Sequence, residues 1–104
     1  MTANALGLLG LARRAGKLEL GEEPVGAACR SRKARLVLTA SDAAENTADR
    51  AQRMARLSNA RCVRTPFTRE ELGAALGRKV CAVAALTDEG LAKAFLGKLE
   101  EETL

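Results

Sequence analysis

The chain has 104 residues, 47% of them apolar and 29% charged, with a formal charge of +4, which suits one domain over residues 1–104 and leaves too little chain for two cores. It contains no His, Trp or Tyr, which excludes an imidazole base, a Ser-His or Cys-His nucleophile and a His-ligated zinc site. Phe67 and Phe95 are the only aromatics, too few for a base-stacking platform.

Ala5, Leu8, Leu9, Ala12 and Gly16 keep helical spacing and predict a first helix over about 3–15 that stops near Gly16. Leu18-Glu19-Leu20 alternates as a very short strand would. Gly21 then breaks the chain, and Pro24 is tolerated only in the first turn of a helix. A second helix therefore begins near Gly21–Glu22 and runs to about Ser31, with Glu22 and Glu23 at its positive end. Arg35-Leu-Val-Leu-Thr-Ala40 reads as a buried strand ending at the turn residues Ser41-Asp42. Ala48, Ala51, Met54 and Ala55 mark a third helix over about 44–58 whose other side carries Arg50, Arg53 and Arg56. Arg61-Cys-Val-Arg64 is a short strand. Thr68-Arg-Glu-Glu71 matches a capping box and starts a fourth helix ending at Gly77. Arg78-Lys79 forms a tight basic loop. Val80–Leu86 is the most apolar strand and is expected to be central. Thr87-Asp88 caps a last helix with Leu91, Ala92, Phe95, Leu96 and Leu99 as its buried stripe. Glu100–Leu104 is an acidic helix end or tail. This alternation predicts an α/β fold: a three-layer α-β-α sandwich around a mixed sheet of about four strands.

Residues 1–60 hold ten basic and six acidic residues, and residues 61–104 hold seven of each, including Glu100, Glu101 and Glu102. The basic body makes a polyanion a candidate partner; a mildly basic solvated surface is the plain alternative. Cys29, Cys62 and Cys81 are odd in number and lack Cys-x-x-Cys spacing, so they read as small buried hydrophobes in a reducing compartment. The first residues lack the basic region of a signal peptide, and no segment reaches about 18 apolar residues. A cytoplasmic location without membrane contact is expected.

Four features are candidates for function. A carboxylate at Glu22 or Glu23 suits a donor-rich partner, such as the N1–H and N2–H pair on a guanine edge; simple helix-dipole pairing is the alternative. Asp42 ends a strand where ligands of open α/β sheets collect, or it caps the third helix. Arg30, Arg32, Lys33 and Arg35 are denser than helix-end compensation requires, which points to phosphate contact or to a solvated helix end. Arg78 and Lys79 are displayed by the Gly77 turn. No phosphate loop, dinucleotide fingerprint, zinc spacing or catalytic constellation occurs, so neither a cofactor nor a metal nor enzymatic activity is expected.

The stretch Leu8-Leu-Gly-Leu-Ala-Arg-Arg-Ala-Gly-Lys-Leu18 followed by Leu20-Gly-Glu-Glu23 resembles the bacterial YlxQ-like branch of the ribosomal protein L7Ae/L30e superfamily. Three later pieces agree in order: Lys33–Leu38 running into Ala40-Ser-Asp-Ala-Ala-Glu-Asn-Thr47, then Glu71–Lys79, then Val83-Ala-Ala-Leu-Thr-Asp-Glu-Gly90. The resemblance implies a small α-β-α sandwich that binds RNA, typically at kink-turns, which are sharply bent duplexes built on sheared G·A pairs; a monomer is expected. It implies ribosomal or other structured RNA as partner and a place in translation. It places RNA contacts at Gly21, Glu22, Glu23, Arg30, Lys33, Asp42, Asn46, Arg78 and Lys79, and the cationic cluster adds Arg35. Ala27 stands where the family usually has Lys, and Pro24 stands where a polar or aliphatic residue is common; Arg30 supplies a cation on the same face three residues later. A protein-interaction module with incidental basic charge is the alternative function.

Overall fold

Apolar stripes at helical spacing alternate with short apolar runs, and a computed structural model, which describes residues 4–103, shows each as a helix or strand. The order is α1 (Ala5–Arg14), β1 (Leu18–Leu20), α2 (Glu22–Arg30), β2 (Leu36–Thr39), α3 (Glu45–Leu57), β3 (Arg61–Arg64), α4 (Arg69–Ala75), β4 (Val83–Leu86) and α5 (Glu89–Thr103). Local chemistry sets most boundaries. Asn4 caps α1 by accepting from Gly7 N–H at 2.7 Å. The capping box at α4 is complete: Thr68 Oγ1 accepts from Glu71 N–H, and Glu71 Oε1 accepts from Thr68 N–H. Asp88 accepts from Leu91 N–H and starts α5. Pro24 is the third residue of α2, where its missing N–H has no helical partner to lose.

One strand is shorter than its apolar run predicts. Val80, Cys81 and Ala82 lie in a loop before β4, and Val80 is 54% exposed. Cys81 N–H donates to Arg69 O in α4 at 2.9 Å, so the segment is tied to a helix rather than to the sheet.

The four strands lie in the order β1-β4-β2-β3. β2 and β3 are parallel, whereas β4 runs antiparallel to both β1 and β2. The sheet is therefore mixed, and β4 is an interior strand, as its composition predicts. Alternation along β2 and β4 assigns the two faces. Leu36, Leu38, Ala84 and Leu86 pack with Leu9, Leu72 and Phe95 from α1, α4 and α5 and with Leu76 at the C-cap of α4. Val37, Val83 and Ala85 pack with Val25, Cys29, Ala51 and Ala55 from α2 and α3. Both faces are covered, giving the three layers. Cys29 and Cys81 are buried as small apolar residues; Cys62 is half-buried. Burial pushes all three thiols up, away from the reactive thiolate. The acidic end is part of α5, and Glu102 accepts from Ala5 N–H at 2.8 Å, so a carboxylate from the last helix caps the first.

Gly73 is the glycine with the least room for a side chain among those described. A Cβ there would lie 2.8 Å from the Arg78 and Lys79 carbonyl groups. These are backbone atoms and cannot swing away. Gly73→Ala is expected to destabilise the protein by about 1–3 kcal/mol, read as a lower midpoint with unchanged slope in denaturant unfolding.

Candidate nucleic-acid interface

β1, β2 and β3 point the same way and β4 points back. The residues after the first three strands and those before β4 therefore meet at one edge of the sheet, where α/β sheets place their ligands. Gly21 anchors this edge. Its N–H donates to Val83 O at 3.0 Å, and its carbonyl accepts from Val25 N–H as the first bond of α2. Gly21 holds φ 90° and ψ 162°, a backbone region that side chains disfavour. The start of α2 is thus pinned to the start of β4.

Glu22 and Glu23 follow in the first turn, both exposed. Glu22 Oε1 accepts from Arg50 Nη2 at 2.8 Å and from Arg50 Nε at 3.2 Å, and Arg50 also reaches Thr47 Oγ1 at 3.5 Å. The two side chains are 43% and 41% exposed, so the pair contributes only about 0–1 kcal/mol. Among the described residues Glu22 Oε2 has no hydrogen-bond partner, and neither does the Glu23 carboxylate. The arrangement orients one carboxylate and leaves acceptor capacity open.

The loop before β4 closes the other side. Gly77 has φ 71°, Arg78 N–H donates to Gly73 O at 2.8 Å, and Cys81 is tied to Arg69 as above. The backbone is clamped while Arg78, Lys79 and Val80 stay exposed. A cleft of about 220 Å³ lies between, lined by Gly21, Glu22, Thr47, Arg78, Val80 and Cys81 together with the neighbouring strand ends. Asn46 is exposed in the first turn of α3, four residues before Arg50 and so on the same helical face.

Asp42 sits at the same edge but is engaged elsewhere. α3 starts from Ala44 without a side-chain cap, so Asp42 is not its N-cap. It accepts instead from Arg69 N–H, the first residue of α4, at 2.8 Å, with Arg69 Nε 3.6 Å from its second oxygen. The turn over Ser41–Ala44 leaves Asp42 two residues short of α3, and the sheet edge brings α4 to it. The backbone bond from Arg69 is the main reason the Asp42 carboxyl is held below its ordinary value.

The cationic cluster is split by the length of α2. Its nine residues span about 13 Å, and the chain then enters β2 from the far edge. Arg35 N–H donates to Leu86 O, at the far end of β4. Lys33 borders a hollow with Glu19, Ala27 and Thr87. Arg30 differs: its guanidinium folds back over Gly26, with Nη1 3.1 Å from where a Cβ would stand. Helical side chains lean toward the N-terminus, which aims Arg30 toward the Gly21 edge. The structure thus gathers Gly21, Glu22 and Arg78 in one cleft, with Asn46, Lys79 and Glu23 exposed around it, and leaves Lys33 and Arg35 at the opposite edge. Sequence reasoning misses Thr47 and Val80 in the cleft and Arg50, which bonds to two of its lining residues. Arg50 shares an ordinary solvated stripe with Arg53 and Arg56, and Val80 merges with the apolar run of β4. Among the described residues no group of three or more potential ligands is placed to hold a metal ion, and no helix is long and apolar enough to cross a membrane.

Comparison with known proteins adds an independent line. The model of the ribosomal protein L7Ae/L30e/S12e/Gadd45 family matches residues 3–96. The RNA-binding protein YlxQ of Bacillus subtilis is 34% identical over 97 residues, covering 89% of this chain and 92% of the relative. Its namesake from Enterococcus faecium is 38% identical over 89 residues, covering 86% and 84%. A solved structure of a Bacillus halodurans protein of unknown function superimposes with a TM-score of 0.85 at 29% identity, covering 95% of this chain and 99% of the other. The Giardia lamblia 15.5kD RNA-binding protein superimposes with a TM-score of 0.70 at 19% identity, covering 92% and 84%, and shows the fold alone.

The Asp42 bond has a pH signature. A carboxyl lowered by folding contributes stability above its unfolded value and loses it as pH falls through the folded one. Asp42→Asn is expected to lower the thermal midpoint at neutral pH, and the gap from wild type should close as pH falls below the ordinary value of 3.8. Thermal melts of both proteins across that range read it directly.

Proposed function

Because the chain belongs to the ribosomal protein L7Ae/L30e/S12e/Gadd45 family, we propose that it is a non-catalytic RNA-binding protein gripping kink-turn-like bent RNA at the Gly21 edge. The observation that carries this reading is the pairing of opposite requirements in one cleft: an oriented carboxylate with a free oxygen at Glu22, beside the exposed cation Arg78 on a clamped loop. Carboxylates beside phosphates are unfavourable unless the partner also presents donors, and guanine edges at sheared G·A pairs do so. Glu22 Oε2, with Glu23 beside it, accepts from guanine N1–H and N2–H, while Gly21 lets the backbone approach closely.

Arg30, Arg50, Arg78 and Lys79 neutralise phosphates on either side of the bend, and Asn46 offers a neutral donor and acceptor from α3. Asp42 acts by holding the start of α4, and through α4 the loop that bears Arg78. Lys33 and Arg35 meet only an RNA arm that runs the length of α2. With few aromatic rings, recognition rests on shape and edge hydrogen bonds rather than stacking. One chain supplies the whole cleft, so a monomer suffices, and the partner is ribosomal RNA or another structured RNA of translation.

The test is a gel-shift titration on a kink-turn RNA and on a control with its G·A pairs disrupted. Equal affinity for both would sink the guanine-reading model. Glu22→Gln should weaken the kink-turn complex roughly tenfold or more, the scale of hydrogen bonds to a charged group, and leave control binding unchanged. Arg78→Gln should weaken both RNAs alike and lower the steepness of log K against log salt by about one.

A further inference from the structure

Arg13 and Arg14 close α1 and are exposed, and the Gly21 cleft makes no use of them. Cations at a helix C-terminus are common, but the placement of these two is unusual. A Cβ at Gly77 would lie 2.9 Å from Arg13 Nη1, so the Arg13 guanidinium rests on the turn that presents Arg78 and Lys79. Arg14 folds back along α1, with Nη1 4.0 Å from the Cβ position of Gly10, and that position is itself 3.4 Å from Ala75 O in α4. α1 thus crosses α4 closely through Gly10, and the crossing delivers both guanidinium groups to the base of the Arg78 loop. Among the described residues the ion pairs are Arg50–Glu22, Arg69–Asp42 and Lys98–Glu101. None of Arg13, Arg14, Arg78 and Lys79 belongs to one. Like charges gathered without ion-pair partners raise the energy of the folded protein, and a polyanion relieves that cost.

Resting on the RNA reading above, we propose that Arg13 and Arg14 bind backbone phosphates of an RNA arm leaving the cleft on the α1 side. The cationic surface then continues from Arg78, which lines the cleft, across Gly77 to the end of α1. The competing explanation is structural: α4 has no cation in its own last turn, and Arg13 and Arg14 compensate its C-terminal carbonyls. The two explanations differ in what salt does to RNA binding.

The experiment titrates salt against affinity for a kink-turn RNA with short arms and for the same RNA with extended arms, using wild type, the double variant Arg13→Gln/Arg14→Gln and the charge-keeping Arg13→Lys/Arg14→Lys. The Gln variant should bind the extended RNA with a log–log salt slope shallower by about one to two, since each neutralised phosphate contributes about 0.9 on B-form duplex. The Lys variant should keep the wild-type slope, and the short-armed RNA should show little difference among the three. A Gln variant with the wild-type slope on the extended RNA overturns the proposal, even if its thermal midpoint falls. Failure of the guanine reading looks different: wild type binds intact and G·A-disrupted RNA equally, while the slope difference at Arg13 and Arg14 persists. A wild-type chain that binds neither RNA overturns both.

Discussion

The bond from Gly21 N–H to Val83 O joins the start of α2 to the start of β4, and the proposed RNA-binding edge is organised around that junction. β4 enters the sheet between β1 and β2 in the opposite direction. Its leading loop therefore arrives beside the exits of β1 and β2, not at the far side of the molecule. With β4 parallel, Arg78 and Lys79 would lie at the edge that holds Arg35. The positive-φ backbone of Gly21, open to glycine alone at little cost, and the side-chain-free surface of Gly73 are local conditions for this arrangement. One lets the chain turn into α2 directly against β4; the other lets the Arg78–Lys79 carbonyls seat on α4.

A clamped backbone with exposed side chains suits recognition of a folded polyanion. Ordering a loop on binding costs conformational entropy. Here the bonds from Arg78 and Cys81 to α4 already supply that order, and only side-chain freedom remains to be lost. The buried faces give the clamp its rigidity. Leucines and Phe95 are the large residues on the side under α1, α4 and α5, whereas valines, alanines and Cys29 pack α2 and α3 side by side on the other. That shared face brings Arg50 of α3 within reach of Glu22 of α2. Their pair is too exposed to add much stability; its effect is to hold a carboxylate in one orientation while a single oxygen stays available.

Charge is distributed by tertiary position more than by chain order. Two acids have structural tasks that the chain order does not suggest: Asp42 holds the start of α4, and Glu102 caps α1. Their use inside the fold leaves the cations at the Gly77 turn without partners among the described residues. The basic excess is therefore concentrated where α1, α4 and the loop before β4 meet. The net charge of +4 understates the local field there.

Much of this was legible in the residues alone. Helices, short strands, the proline-bearing start of α2, the Thr68 capping box and the mixed three-layer sandwich follow from periodicity and capping, because those signals act over a few neighbouring residues. Glu22, Gly21 and Arg78 stand out for the same local reason: an unusual helix start and a glycine turn. The partners of these residues were not legible. Arg50 against Glu22, Asp42 on Arg69, Glu102 on Ala5 and Arg13 on Gly77 each join segments far apart in sequence, and no local pattern encodes such a distance. The split of the cationic cluster is likewise a matter of three dimensions. Arg30, Lys33 and Arg35 are neighbours in the chain, but α2 and the turn after it carry the last two to the opposite edge, and only the direction of the strands decides which cations share the cleft.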